Sequence, residues 1–190
     1  MLTLYFTPGA SSMAPHIALH EVGAAFDTRP ISLAKKENRS SDFLAINPEG
    51  KVPTLQIDGR CLTEVAAILF YLARRYPDAN LLPANDIEME AQIVSWMSFI
   101  AATVHPARAP EHAKQIYQLA DARLGKNDWA VGRYSIADIH LFRLFWRYSN
   151  SLKPPRGTFP NLEALHDRMM ARPAVAKTIE IESAIGYDLP

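Results

Sequence analysis

The chain opens with a short apolar block and passes at once into a helical one. Leu2, Leu4, Tyr5 and Phe6 form a run of strand length, and beyond TPGASS the positions Ile17, Leu19 and Val22 fall among Ala14 and Ala18 at helix-compatible spacing. The intervening turn formers and hydroxyls mark a strand-to-helix turn, with the helix starting near Met13. A second strand is expected over 28–33. After the polar stretch AKKENRSSDF, the runs 52–57 and 60–62 flank Asp58-Gly59, a dipeptide suited to the two positive-φ positions of a tight hairpin turn. These runs should be antiparallel neighbours. Pro53 lacks a backbone donor and marks an edge, a strand entrance or a cis bond. TEVAAILFYLARRYP then predicts a helix with Thr63 as N-cap and Pro77 as its stop.

From PDANLLPAND onward the pattern becomes purely helical. Ile93, Met97, Ile100 and Val104 form one apolar face of a helix expected over 87–105. Ala113, Ile116, Tyr117, Ala120 and Leu124 mark a second helix, ending at Gly125. SIADIHLFRLFWRY is apolar around nearly its whole circumference, as a helix inside a bundle should be, and Ser135 with Asp138 opens it as a variant capping box. Asp138 is read as a cap and not as a catalytic acid. Leu162, Leu165 and Met169 predict a helix after Pro160, and a last helix follows Pro173. The expected organisation is an α/β domain over 1–77, a linker over 78–86 and an all-α helical bundle over 87–190.

Composition narrows the partners. A chain of 190 residues with 48% hydrophobic content can bury a full core. Its 20 basic residues balance 20 acidic ones without a dense Lys/Arg block, so neither nucleic acid nor an anionic membrane is expected as a partner. The apolar stretch 65–73 lies between Glu64 and Arg74 and is too short to span a bilayer. No secretory pattern is visible at the start, and a cytoplasmic location is expected. The single cysteine, Cys61, has no internal partner and is read as a small buried hydrophobe on a strand. His16 and His20 lie one helical turn apart, but without a third ligand they read as packing or surface histidines, and no metal is expected.

This layout resembles the cytosolic glutathione S-transferases over essentially the whole chain. The resemblance is carried by YFTPGASSMAPHIALHE, NPEGKVPTL, LTEVAAILFYLA, SIADIHLF and FPNLEALHDRMMARPAV. The TPGA turn followed by Ser, Pro and His, together with WMSFIAATVH, is most similar to the bacterial beta class. It implies a thioredoxin-like first domain that binds glutathione and a helical domain that contributes the second substrate's pocket. The implied activity is attack of a glutathione thiolate on a small, mostly apolar electrophile, in a homodimer. Two alternatives stay open: a glutathione-dependent peroxidase or disulfide reductase, and a non-catalytic protein of the same fold that binds glutathione or another ligand.

Glutathione asks for an anion at its amine, donors at its carboxylates and a group that stabilises its thiolate. Ser11 and Ser12 stand just before a helix, where free amides and the positive dipole end favour an anion. Ser11 is the expected thiolate donor and Ser12 the next candidate, although both also suit a helix cap. Lowering a thiol pKa of about 8.5 by about two units requires roughly 2.7 kcal/mol of differential stabilisation. The resemblance implies the remaining roles. Beta-class enzymes typically carry cysteine where this chain has Ser11, so a mixed disulfide with glutathione is not available here. Holding the sulfur by a hydroxyl is similar to the theta and zeta classes. Glu64 corresponds to the acid at the γ-glutamyl amine, the Val65 amide to a donor at the γ-glutamyl carboxylate, and Val52 with Pro53 to a backbone clamp. Lys36 corresponds to a lysine at the glycine carboxylate and His105 to a histidine near the sulfur. Ser98 stands where the class often has asparagine, and Pro106 where it often has lysine.

Overall fold

Strand β1 (Leu2–Phe6) is central: Leu4 and Phe6 are wholly buried, and the strand is covered on both edges. The computed structural model describes residues 1–187. β2 (Phe26–Pro30) pairs with β1 in parallel, reached through helix α1 (Met13–Glu21), while β3 (Thr54–Ile57) pairs with it antiparallel. β4 (Arg60–Thr63) lies outside β3, giving the order β2-β1-β3-β4. Asp58 and Gly59 have φ of 47° and 84°, the positive pair that the hairpin required.

Several boundaries differ from the sequence expectation for identifiable reasons. β2 starts at Phe26, earlier than expected, and its ladder ends at Pro30. Ile31 still donates its amide to the Phe6 carbonyl at 2.7 Å. β3 begins at Thr54 because Pro53 has no N–H to give, and the Val52–Pro53 bond is cis. Thr63, expected as a helix cap, is instead held in the ladder opposite Thr54. The chain then has one residue in which to leave the sheet. Glu64 is that residue and N-caps α3 (Val65–Arg75) with φ 68° and ψ 126°. The polar stretch contains a 3₁₀ turn (Glu37–Arg39) and a short helix, α2 (Ser41–Ile46), whose Phe43 amide is capped by the Ser40 hydroxyl at 3.2 Å. Cys61 is exposed on β4, contrary to the expected burial, because β4 is an edge strand and the pleat turns Cys61 to its open face.

The chain divides into two compact units, Met1–Tyr76 together with the segment from Pro173, and Pro77–Arg172. In the second, α4 (Ile87–Phe99) continues into a π-helical turn (Ile100–Val104), followed by α5 (Pro110–Leu124), α6 (Ile136–Leu152) and α7 (Pro160–Met170). α6 buries most of its length, and its capping box is formed: the Asp138 carboxylate accepts the amides of Ser135 at 2.8 Å and Ala130 at 2.7 Å. Burial pushes the Asp138 carboxyl up to about 6 against these hydrogen bonds. Asp121 of α5 does the same for α7, accepting the amides of Asn161 and Leu162 at 2.9 and 2.8 Å.

The last helix departs from the expected 87–190 bundle. α8 (Pro173–Ile185) packs on α1 in the first unit, and only the other helices after the linker form the second; the final three positions of that range lie outside the described residues. No helix among the described residues is long and apolar enough to cross a membrane.

Candidate functional site

The sheet topology gathers the candidate residues of the first unit. β1 and β2 end on the same side because they are parallel; β3 begins there and β4 ends there, since Tyr5 lies opposite Thr54 and Thr54 opposite Thr63. The turn carrying Ser11 leaves that end of β1, Val52 and Pro53 enter β3 there, and Glu64 and Val65 leave β4 there. The N-termini of α1 and α3 therefore open at one end of one sheet, where the positive ends of the two helix dipoles favour an anion, although the Met13 and Ala14 amides of α1 already donate to the Ala10 and Ser11 carbonyls.

Ser11 and Ser12, equivalent in the sequence, part company here. Ser11 is partly exposed, and its hydroxyl donates to the Val52 carbonyl at 3.2 Å. Its oxygen therefore faces the same space as the backbone of the proposed clamp. Ser12 is fully buried, accepts the Thr7 amide at 3.0 Å and donates to the Thr7 carbonyl at 3.1 Å. That hydroxyl closes the turn through both of its bonds to Thr7. Neither serine caps α1 in the ordinary way: Ser12 holds the N-cap position in helical conformation with no side-chain cap bond.

Glu64 is exposed, and its side chain makes no cap bond with α3. A non-glycine residue at φ 68°, ψ 126° costs on the order of 1–3 kcal/mol, a cost that persists at sites where the backbone direction matters. Here it turns the carboxylate to solvent at the sheet end and starts α3 with Val65, which is buried and offers its backbone amide at the helix N-terminus. Lys36 is exposed in a left-handed conformation at φ 55°, immediately before the 3₁₀ turn that follows β2. Ser98 and His105 belong to the second unit, Ser98 exposed on α4 and His105 just beyond the π-helical turn, where its amide bonds the carbonyl of Ile100 at 2.9 Å. π turns within helices are frequent at functional positions. Burial first, then the Arg143 and Arg108 charges, lower the His105 imidazole to about 4. His105 is thus a neutral imidazole near pH 7, able to donate or accept one hydrogen bond but carrying no charge.

Residues invisible to sequence reasoning hold this end of the sheet. Asn47, buried, donates to the Lys51 carbonyl and the Thr54 hydroxyl, both at 2.9 Å, and so fixes the loop that delivers Val52. Thr7 donates from its hydroxyl to the Ile31 carbonyl at 2.6 Å, tying the α1 turn to the end of β2. A buried asparagine in NPEG looks the same in sequence as a solvated turn asparagine; only the run TPGASS was signal enough to find its turn. Among the described residues no three His, Cys, Asp or Glu side chains come together as a metal site.

Residues 1–74 match the family model of the glutathione S-transferase N-terminal domain, and residues 84–173 that of the C-terminal domain. The chain belongs to the glutathione S-transferase family. It is 33% identical to the glutathione S-transferase GstA of Escherichia coli O157:H7 over 95% of this chain and 98% of that one. A bacterial beta-class glutathione S-transferase of Sphingomonas chungbukensis superposes with a TM-score of 0.86 at 34% identity, covering 95% of this chain and 98% of its own. A sphingomonad glutathione S-transferase solved in complex with glutathione has the same TM-score at 33% identity, with 95% and 98% coverage. The beta-class likeness and the thioredoxin-like first domain of this glutathione S-transferase agree with the sequence reading.

Proposed function

We propose that this protein is a glutathione transferase that uses glutathione as co-substrate and holds its sulfur as a thiolate at the Ser11 hydroxyl. The observation that carries the reading is the pairing of Ser11 with Val52. A partly exposed hydroxyl at the head of α1 lies 3.2 Å from the carbonyl of the residue before Pro53, at the sheet end where two helix N-termini open. When glutathione binds, the hydroxyl turns from that carbonyl to the sulfur, and the Val52 backbone pairs with the tripeptide. Glu64 takes the γ-glutamyl amine, the Val65 amide the γ-glutamyl carboxylate, and Lys36 the glycine carboxylate.

In the reaction the thiol loses its proton to solvent, and the sulfur forms a bond to the electrophilic carbon. The displaced group leaves with its electron pair, or an activated double bond takes up a proton. Ser98 belongs to this reading as a glutathione contact supplied by the helical segment over 87–190. His105 assists as a neutral imidazole that hydrogen-bonds the thiol or the departing group. The second substrate is a small, mostly apolar electrophile, the working form a homodimer, and the setting the cytoplasm, where thiols are kept reduced.

Steady-state conjugation of an activated aryl halide by the parent and by Ser11→Ala tests the assignment. The variant is expected to lose about tenfold or more in kcat, the weight of one oriented donor on a developing anion, with a smaller change in the KM for glutathione. Parental kcat in Ser11→Ala overturns the role of Ser11.

A further inference from the structure

The turn that presents Ser11 is held by a residue far along the chain. Glu182 lies on α8 and is fully buried. Its Oε2 accepts the Gly9 amide at 2.7 Å, and its Oε1 meets Nδ1 of the fully buried His16 on α1 at 2.9 Å. Gly9 stands two positions before Ser11 with φ 68°, so its amide is aimed by a backbone conformation that few other residues adopt. His16 is wedged between the rings of Phe6, His20 and Phe26 at centroid distances of 5.1, 5.2 and 5.9 Å. One carboxylate thus joins the turn, the helix that follows it and the end of the chain. Glu182 lies beyond both matched family segments, the second of which ends at residue 173.

We infer that Glu182 is a positioning residue for the thiolate site. It clamps Gly9 and His16 so that the 7–12 turn holds the Ser11 hydroxyl in place for the sulfur, an inference that rests on the function proposed above. A side chain with two polar atoms at its tip is suited to this task because each atom bonds a different element, the Gly9 amide at 2.7 Å and the His16 ring at 2.9 Å. Ser12 secures the turn to Thr7 within the same segment; Glu182 secures it to α8. Without Glu182 the Gly9 amide and the His16 ring nitrogen each lose a buried partner, and the turn gains freedom at the residues that present Ser11.

The test compares the parent with Glu182→Ala and Glu182→Gln, each checked by circular dichroism to be folded at the assay temperature. The glutamine keeps an oxygen for the Gly9 amide, and its NH₂ can donate to His16 Nδ1 in the other tautomer. Two readouts are taken: hydrogen exchange of the Gly9 amide without glutathione, and the pH titration of the thiolate absorbance of bound glutathione. Glu182→Ala should speed Gly9 exchange about tenfold or more and move the bound thiol toward its free pKa, while Glu182→Gln stays close to the parent in both. Parental exchange at Gly9 in Glu182→Ala overturns the inference, as does an unmoved thiol titration beside fast exchange. If the parent itself leaves the thiol unshifted, the proposed function fails, and the exchange rates alone then decide whether Glu182 anchors the turn.

Discussion

At the scale of single residues, two adjacent serines differ by their neighbours and not by their chemistry. Ser12 →Ala leaves the buried Thr7 amide without an acceptor and is expected to cost about 1–3 kcal/mol of stability, measured by urea unfolding. Ser11→Ala removes only a partly exposed hydroxyl and should unfold with the parent's midpoint. Glu64 separates stability from binding in the opposite direction. Glycine adopts φ 68° without the steric cost that glutamate bears, so Glu64→Gly should match or exceed the parent's melting temperature. Its affinity for glutathione, measured calorimetrically, should fall by about tenfold or more through loss of a charge-assisted contact. The motif TPGASS made the turn legible, but not which serine faces outward. That choice depends on Thr7 and Val52, one five residues before Ser12 and the other in a different loop.

At the scale of elements, periodicity located the helices and strands, and competition between elements moved their ends. Thr63 has the chemistry of a cap yet serves the β3–β4 ladder, so the positive φ falls on Glu64, a position that nothing in LTEVAAIL distinguishes. The π turn at 100–104 was hidden for a similar reason, because Ile100 and Val104 fit an ordinary helical face as well as a widened one. The capping box of α6 was legible because its two partners lie three residues apart in sequence. Asp138 also accepts from Ala130, outside the box, so Asp138→Ala leaves a buried donor at Ser135 and a part-buried one at Ala130 unmatched. It is expected to destabilise the fold by about 2–4 kcal/mol in chemical unfolding, more than a surface cap would.

At the scale of the whole molecule, the return of α8 to the first unit was beyond reach of sequence patterns. An amphipathic helix announces an apolar face but not the surface that receives it, and the partners of Glu182 lie 166 and 173 positions away. Buried titratable groups give the fold a pH dependence of predictable sign. Burial lowers His140 to about 3 and His105 to about 4, so both are neutral in the fold while an unfolded histidine binds a proton below about 6.5. Their contribution is fully present above that value and is lost as the pH falls toward 4. Asp138 acts in the opposite sense: raised to about 6, it holds a proton that an unfolded carboxyl, near 3.9, has already released. Two histidines against one carboxyl predict a net loss of stability from pH 6.5 to 4, read from urea midpoints, and His140→Gln should flatten that slope.

The most direct test of the central claim is the ultraviolet titration of the glutathione thiolate on the purified protein, beside the same titration with Ser11→Ala. In the parent the bound thiol is expected to titrate about two units below its free value of roughly 8.5, and in the variant to return toward that value. A thiol that titrates at its free value on the parent, or identically on parent and variant, would contradict that claim.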